Sequence, residues 1–191
     1  MIDSATQWKL SLVSFDKLIG SDNYNQPEMI LVKRLGDSND FEKLNFPIGL
    51  EGGQSGNCPT QNLVNVYGMQ IGYTFDPNNP YKNRDPRLSY TVLYEGANTA
   101  YGQQLDVLPN GISGQPKNGA TKTGYYLSKF VNKSVSLTAS NTTTARHSFP
   151  LFRYAEILLN YAEAMNEAYG PTTVTSDLNL SALDALNIVR S

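Results

Sequence analysis

The chain has 191 residues and a mass of 21.1 kDa, room for one domain of ordinary size or for a piece of a larger protein. Fifteen Lys and Arg against seventeen Asp and Glu leave a net charge of −2, so no basic field gathers phosphate backbones and a dedicated nucleic-acid binder is not expected. Hydrophobic residues make up 40% of the chain and the mean hydropathy is −0.37, which supports a core, while no apolar run nears the ~20 residues that span a bilayer.

Only 17% of residues are charged, below the ~25% of an ordinary globular protein, so Asn, Ser, Thr, Gly, Gln and Tyr must cover much of the surface. Such a surface suits neutral polar partners. Twelve Tyr outnumber seven Phe and one Trp; a tyrosine ring offers a flat apolar face and a hydroxyl, useful in wet cores and against sugars. The single cysteine, Cys58, excludes an internal disulfide framework and a Cys-cluster metal site. Residues 1–7 have neither a positive n-region nor an apolar h-region, so no signal peptide is expected in them.

Trp8, Leu12, Phe15 and Ile19 recur at helical spacing, which predicts a short helix over residues 5–19 stopped by Gly20. Met29-Ile30-Leu31-Val32 is an unbroken apolar run, predicting a buried strand. Residues 46–59 are punctuated by Pro47, Gly49, Gly52, Gly53, Gly56 and Pro59, a loop leading to Thr60 as N-cap of a helix from Gln61 to Met69. Three prolines in 72–87 predict irregular structure. The segments Ser89 to Tyr94 and Gly124 to Val131 read as strands, and Asn110-Gly111 as a tight turn. Residues 132–145 are polar and of low complexity, which predicts a mobile loop.

The strongest periodicity comes last. Apolar positions 154, 158, 161, 162, 165 and 169 lie on one side of a helix from Phe152 to Tyr169 that Gly170-Pro171 ends. Ser181 and Asp184 form a capping box opening a second helix with Leu183, Leu186 and Val189 as its apolar face. That helix meets the chain end at Ser191, from which a fragment of a longer protein is expected.

Several strings, in order, are similar to one family. Cys58-Pro59-Thr60-Gln61-Asn62-Leu63-Val64-Asn65-Val66-Tyr67-Gly68-Met69 is followed by Asp76-Pro77-Asn78-Asn79-Pro80-Tyr81 and by Asn83-Arg84-Asp85-Pro86-Arg87-Leu88. Next come Gly124-Tyr125-Tyr126-Leu127-Ser128-Lys129-Phe130, then Arg153-Tyr154-Ala155-Glu156-Ile157-Leu158-Leu159-Asn160-Tyr161-Ala162-Glu163-Ala164, and Leu186-Asn187-Ile188-Val189-Arg190. Together, over about residues 30–190, they resemble the SusD/RagB family. The resemblance implies a mainly α fold, with a loop-rich region of few short strands over 1–150 and a tetratricopeptide-like helix pair over 151–191. It also implies that the chain covers the later-middle of a protein two to three times longer.

In function, it implies a non-enzymatic outer-membrane lipoprotein on the cell surface, anchored by an N-terminal lipid outside this chain. Such a protein binds oligo- or polysaccharide and delivers it to a SusC-like TonB-dependent transporter; no cofactor or metal is implied. A sugar site needs an aromatic platform with amide side chains beside it, and Gln54, Tyr73, Tyr81, Tyr94 and Tyr101, in or beside irregular segments, are its candidates. The alternative is a tetratricopeptide-like module that binds a protein and carries no sugar site.

Other chemistries have simpler readings. His147 is the lone histidine, and a general base needs a partner to orient it; with Cys58 it could form a nucleophile pair, but Cys58 reads more simply as a small buried hydrophobe. Glu156, Glu163 and Glu167 share one helix face, unlike the opposed carboxylates of a glycosidase, and Arg153 with Glu156 reads as a structural pair. Asp76, Asn78, Asn79, Asn83 and Asp85 are oxygen-rich enough for Ca²⁺, but Asx-turns account for them with less. Arg84 and Arg87 are expected to staple this loop to the helices through salt bridges.

Overall fold

Where a chain is rich in Pro, Gly and Asx residues, ladders are interrupted, and most of the strands here are two residues long. In a computed structural model that describes residues 10–20, 23–177 and 179–190, 28% of residues are helical and 17% extended. The helices are α1 (Phe15–Ile19), α2 (Asp40–Asn45), α3 (Gln61–Val66), α4 (Arg87–Thr91), α5 (Tyr154–Tyr169) and α6 (Ala182–Arg190). The strands are β1 (Met29–Ser38), β2 (Val92–Leu93), β3 (Tyr126–Leu127), β4 (Leu137–Thr138), β5 (Asn141–Thr142) and β6 (Ala145–Arg153), paired as β1-β6, β2-β3 and β4-β5. Among the described residues no helix is long and apolar enough to cross a membrane.

The chain divides into two units. Among the described residues, one comprises 10–18, 24–34, 148–177 and 179–190; the other, 19–20, 23 and 35–147.

The first unit holds the long helices. Glu28 is 1% exposed and its carboxylate is fully used: one oxygen accepts Val13 N (2.9 Å) and the other accepts Arg153 Nη1 (2.6 Å). Its backbone carbonyl accepts Tyr154 N at 2.9 Å, so one residue fixes both the entry segment and the junction of β6 with α5. α5 buries Ala155, Leu158 and Met165 and ends at Gly170, whose φ of 86° only glycine adopts without strain. α6 packs on α5, with Tyr161 Oη donating to Leu180 O and Leu183 N to Pro171 O. The capping box is present: Asp184 N donates to Ser181 Oγ (3.1 Å) and Ser181 N to Asp184 Oδ2 (3.2 Å).

The second unit is built from three small clusters around the β2-β3 pair. Successive residues of a strand point to opposite faces, so Val92 and Tyr125 enter a cluster with Val64 and Leu88, while Leu93 and Tyr126 enter another with Leu105. A third joins Phe46, Leu50, Ala100, Val131, Val135 and Leu137. The loop over 46–59 turns back on itself at Gly53, where a Cβ would lie 2.3 Å from Pro47 O. His147 and Glu42, 4% and 0% exposed, join β6 to α2 through Nε2–Oε1 at 2.8 Å, and the same oxygen accepts Asn132 N.

Several sequence expectations are corrected. The helix foreseen over 5–19 is limited to Phe15–Ile19 in the described residues, because Val13 N is committed to Glu28 and Leu18 and Ile19 are the buried pair; Trp8 lies outside the described residues. Met29–Val32 is a strand but not a buried one, with Leu31 57% exposed, as a two-stranded ribbon has faces that little covers. α3 stops at Val66 rather than Met69. Ser89 to Tyr94 is not a strand throughout: Asp85 accepts from Arg87 N and Leu88 N and starts a helix, leaving Val92–Leu93 as the ladder. Of Gly124 to Val131, Tyr126–Leu127 pairs.

The polar run 132–145 packs as a hairpin. Val135 and Leu137 enter the core, and Thr143 Oγ1 and Asn132 Oδ1 accept backbone donors within it, so the Ser/Thr/Asn content serves the backbone. In α6 the alanines Ala182 and Ala185 are buried while Leu183 and Leu186 are exposed. Arg153 pairs with Glu28, not with Glu156.

Glu28→Ala leaves Arg153 and the backbone donor Val13 N unmatched, and it is expected to cost about 3 kcal/mol, read as a lower urea midpoint. Ser181→Ala, which removes only a cap, is expected to cost about 1 kcal/mol in the same titration.

Candidate functional site

Helix α3 begins as foreseen, with Thr60 Oγ1 accepting Leu63 N at 3.3 Å. At its end Val64 O accepts Tyr67 N at 3.3 Å, and Arg84 adds further donors. Nη2 donates to Val64 O (2.8 Å), Nε to Tyr67 O (3.1 Å) and Nη1 to Pro80 O (3.0 Å), and the guanidinium carbon lies 5.9 Å from the centre of the Phe75 ring. The loop is closed at its base, since Gln70 N donates to Asn83 O and Asp85 N to Gly68 O, both at 2.9 Å. Arg84 thus staples the loop as expected, through helix carbonyls and not through a salt bridge. The ion pair is local, between Asp85 and Arg87, and the Arg87 guanidinium holds the Asp85 carboxyl below its usual 3.8.

Within the loop Asp76 accepts Asn78 N (2.9 Å) and Asn79 Nδ2 (2.7 Å), the Asx-turn arrangement. The Asn79 amide is the main cause lowering the Asp76 carboxyl below 3.8. No group of three or more His, Cys, Asp or Glu residues able to hold a metal occurs among the described residues.

Tyr81 leaves this loop and stacks on Tyr94, with ring centres 4.1 Å apart and planes 17° off parallel. Tyr125 meets Tyr81 edge-on at 6.4 Å, a favoured aromatic arrangement. The Tyr81 hydroxyl reaches that of Tyr125 at 3.4 Å, and Tyr125 donates to Gln61 Oε1 at 2.8 Å. Burial, then the Tyr125 hydroxyl, holds the Tyr81 phenol above its ordinary value, so it keeps its proton. Beside the stack opens a shallow pocket of about 460 Å³ lined by Asn78, Asn79, Pro80, Tyr81, Lys82 and Glu95. An aromatic wall with amide and charged groups around it can hold a sugar ring by its C–H face and its hydroxyls.

Of the five residues foreseen for glycan binding, the structure brings together Tyr81 and Tyr94, of which Tyr81 lines the pocket and Tyr94 does not. Tyr101 belongs to a different cluster, edge-on to Phe46 at 6.0 Å with its hydroxyl accepting Leu137 N. Tyr73 is 52% exposed and Gln54 is exposed, and neither lines the pocket. Sequence reasoning passed over Lys82, Glu95 and Tyr125. The first two adjoin named tyrosines in the chain, which is the signal that could have found them; Tyr125 is 44 residues from Tyr81 and carries none. Cys58 Sγ donates to Ser55 O, while His147 engages Glu42, so the two serve different partners. Glu156, Glu163 and Glu167 are all exposed on α5.

Two outcomes follow from this geometry. Arg84→Lys replaces a planar fork by a point charge that cannot span these carbonyls, and it is expected to cost about 2 kcal/mol and to lower amide protection at Gln70 and Asp85. Asp76 and Asp85 lie below their ordinary 3.8, so their contribution is present above that value and is lost as pH falls through the folded one. Protection factors across 70–87 are expected to hold from about pH 7 to 5 and to fall only below about pH 4.

Comparison with curated proteins finds no match. Among solved structures the chain is similar to a SusD-like carbohydrate binding protein from Bacteroides fragilis, at 24% identity and a TM-score of 0.71, covering 99% of this chain and 38% of that one. A second SusD-like protein from Bacteroides fragilis matches at 20% identity and a TM-score of 0.68 over 98% of this chain and 41% of that one. A SusD superfamily protein from Bacteroides vulgatus matches at 21% and 0.56, over 87% and 34%. The chain therefore spans between about a third and two fifths of the length of these relatives, and the likeness establishes the fold. The family model described as SusD family matches residues 27–191, and the chain belongs to that family.

Proposed function

We propose that the chain contributes to non-enzymatic binding of an oligo- or polysaccharide at the cell surface, with Tyr81 as the platform and Tyr94 stacked behind it. The observation that carries this reading is the stacked tyrosine pair beside a pocket lined by Asn78, Asn79, Lys82 and Glu95, in a chain of the SusD family. It is supported by the likeness to a SusD-like carbohydrate binding protein. An open, shallow surface holds sugar weakly and releases it readily, which suits delivery to a SusC-like TonB-dependent transporter. The same reading places the protein on the outer face of the outer membrane as a lipoprotein, with the α5-α6 pair as a tetratricopeptide-like scaffold unit. Tyr73 and Gln54, both exposed, are secondary contacts for a longer glycan.

A protein-binding module is the second reading, favoured by the exposure of Ile157, Leu159, Leu183, Leu186 and Ile188, at 36–44%, on α5 and α6.

Affinity electrophoresis of the chain through gels containing single polysaccharides tests the first. At least one polysaccharide is expected to retard the protein. Tyr81→Ala is expected to weaken that retention roughly tenfold, about 1.4 kcal/mol, whereas Tyr101→Phe is expected to keep it and lose about 1 kcal/mol of stability with the acceptor for Leu137 N. Equal retention of Tyr81→Ala and the parent chain would remove the proposed platform.

A further inference from the structure

We infer that this pocket takes neutral, hydroxyl-rich glycans and turns away polyanionic ones, an inference that rests on the glycan-binding reading above.

Counting which polar groups at the pocket are already committed leads there. The Asn79 amide nitrogen is held by Asp76, which leaves its carbonyl oxygen to face a ligand. One oxygen of Glu95 accepts Val107 N at 2.7 Å, which leaves the other. The Tyr81 hydroxyl gives its proton to Tyr125, so it offers a ligand a lone pair. Three of the polar groups at the pocket therefore present acceptors. Its donors are the Asn78 amide and the Lys82 ammonium.

Charge points the same way. Asp76, which holds the Asn79 amide, lies within the same loop as Lys82. Glu95 is near enough to raise the proton affinity of the Tyr81 phenol, and its charge is met by a neutral backbone N–H. The two charged residues that line the pocket, Lys82 and Glu95, cancel. A sugar hydroxyl both donates and accepts, so it can satisfy the three acceptors and still receive from Asn78 or Lys82. Carboxylate and sulfate groups only accept, and each would place an anion against three acceptors, one of them the Glu95 carboxylate. The low share of charged residues in the whole chain, 17%, fits a partner that is not a polyelectrolyte.

The test is affinity electrophoresis of the intact chain through two sets of gels. One contains neutral polymers (starch, xyloglucan, galactomannan, dextran) and the other polyanions (polygalacturonate, alginate, chondroitin sulfate). Retention is expected in at least one neutral gel and in no polyanionic one. It is expected to persist at 0.5 M NaCl, because no ion pair carries it. Glu95→Gln keeps the shape that meets Val107 N and is expected to weaken the neutral ligand roughly tenfold, as loss of a charged acceptor does. Salt-sensitive retention by a polyanion that Lys82→Gln abolishes would overturn the inference and leave glycan binding standing. Neutral retention that Glu95→Gln leaves unchanged would overturn the donor-acceptor argument. A chain retarded by no polymer in either set would count against glycan binding itself, and this inference would fall with it.

Discussion

A buried backbone group with no hydrogen-bond partner costs roughly 1–3 kcal/mol, and this chain has few ladders with which to avoid that cost. Three of its strand pairs are all that the described residues show, two of them built from two-residue strands. Side chains must therefore serve the backbone across most of the second unit. Arg84 serves the end of α3, Asp76 and Asp85 start turns, Ser55 and Ser113 accept from Ile48 and Gly49, and Glu42 accepts from Asn132. The low charge and the abundance of Ser, Thr and Asn are consequences of this constraint as much as of any partner.

The candidate site grows out of the same device. Because Arg84 binds Val64 O in α3, Tyr67 O just after it and Pro80 O in the loop, the residue at the end of the helix also sets where Tyr81 leaves the loop. Tyr125, just before β3, then holds the Tyr81 hydroxyl and is itself held by Gln61 in the first turn of α3. A platform held at its base and edge loses little freedom when a ligand arrives, which is how a shallow surface gains useful affinity from few contacts. Donors and acceptors that fold the loop are no longer open to a ligand, and those left over define what the pocket accepts.

The first unit solves a different problem. There the two longest helices lie, and the demand falls on junctions. Glu28, buried beneath Arg153, satisfies Val13 N and orients the start of α5, while Gly170 and the Ser181–Asp184 box end one helix and open the next. Burying Ala182 and Ala185 lets α6 approach α5 closely, which leaves the larger Leu183 and Leu186 outside.

Local chemistry was legible in the chain itself. Thr60, Gly170 and the Ser181–Asp184 box act through neighbours at most four residues away, so their roles needed only spacing; the resemblance carried by the strings from Cys58 to Arg190 led to the family on the same basis. Tertiary structure decided what depends on partners distant in sequence. Arg153 meets Glu28 across 125 residues, His147 meets Glu42 across 105, and Tyr81 meets Tyr125 across 44. Which of five candidate polar and aromatic residues share a surface was decided there too. An exposed tyrosine and a tyrosine packed edge-on against Phe46 have the same composition and similar neighbours in the chain, and they differ only in what the fold brings against the ring.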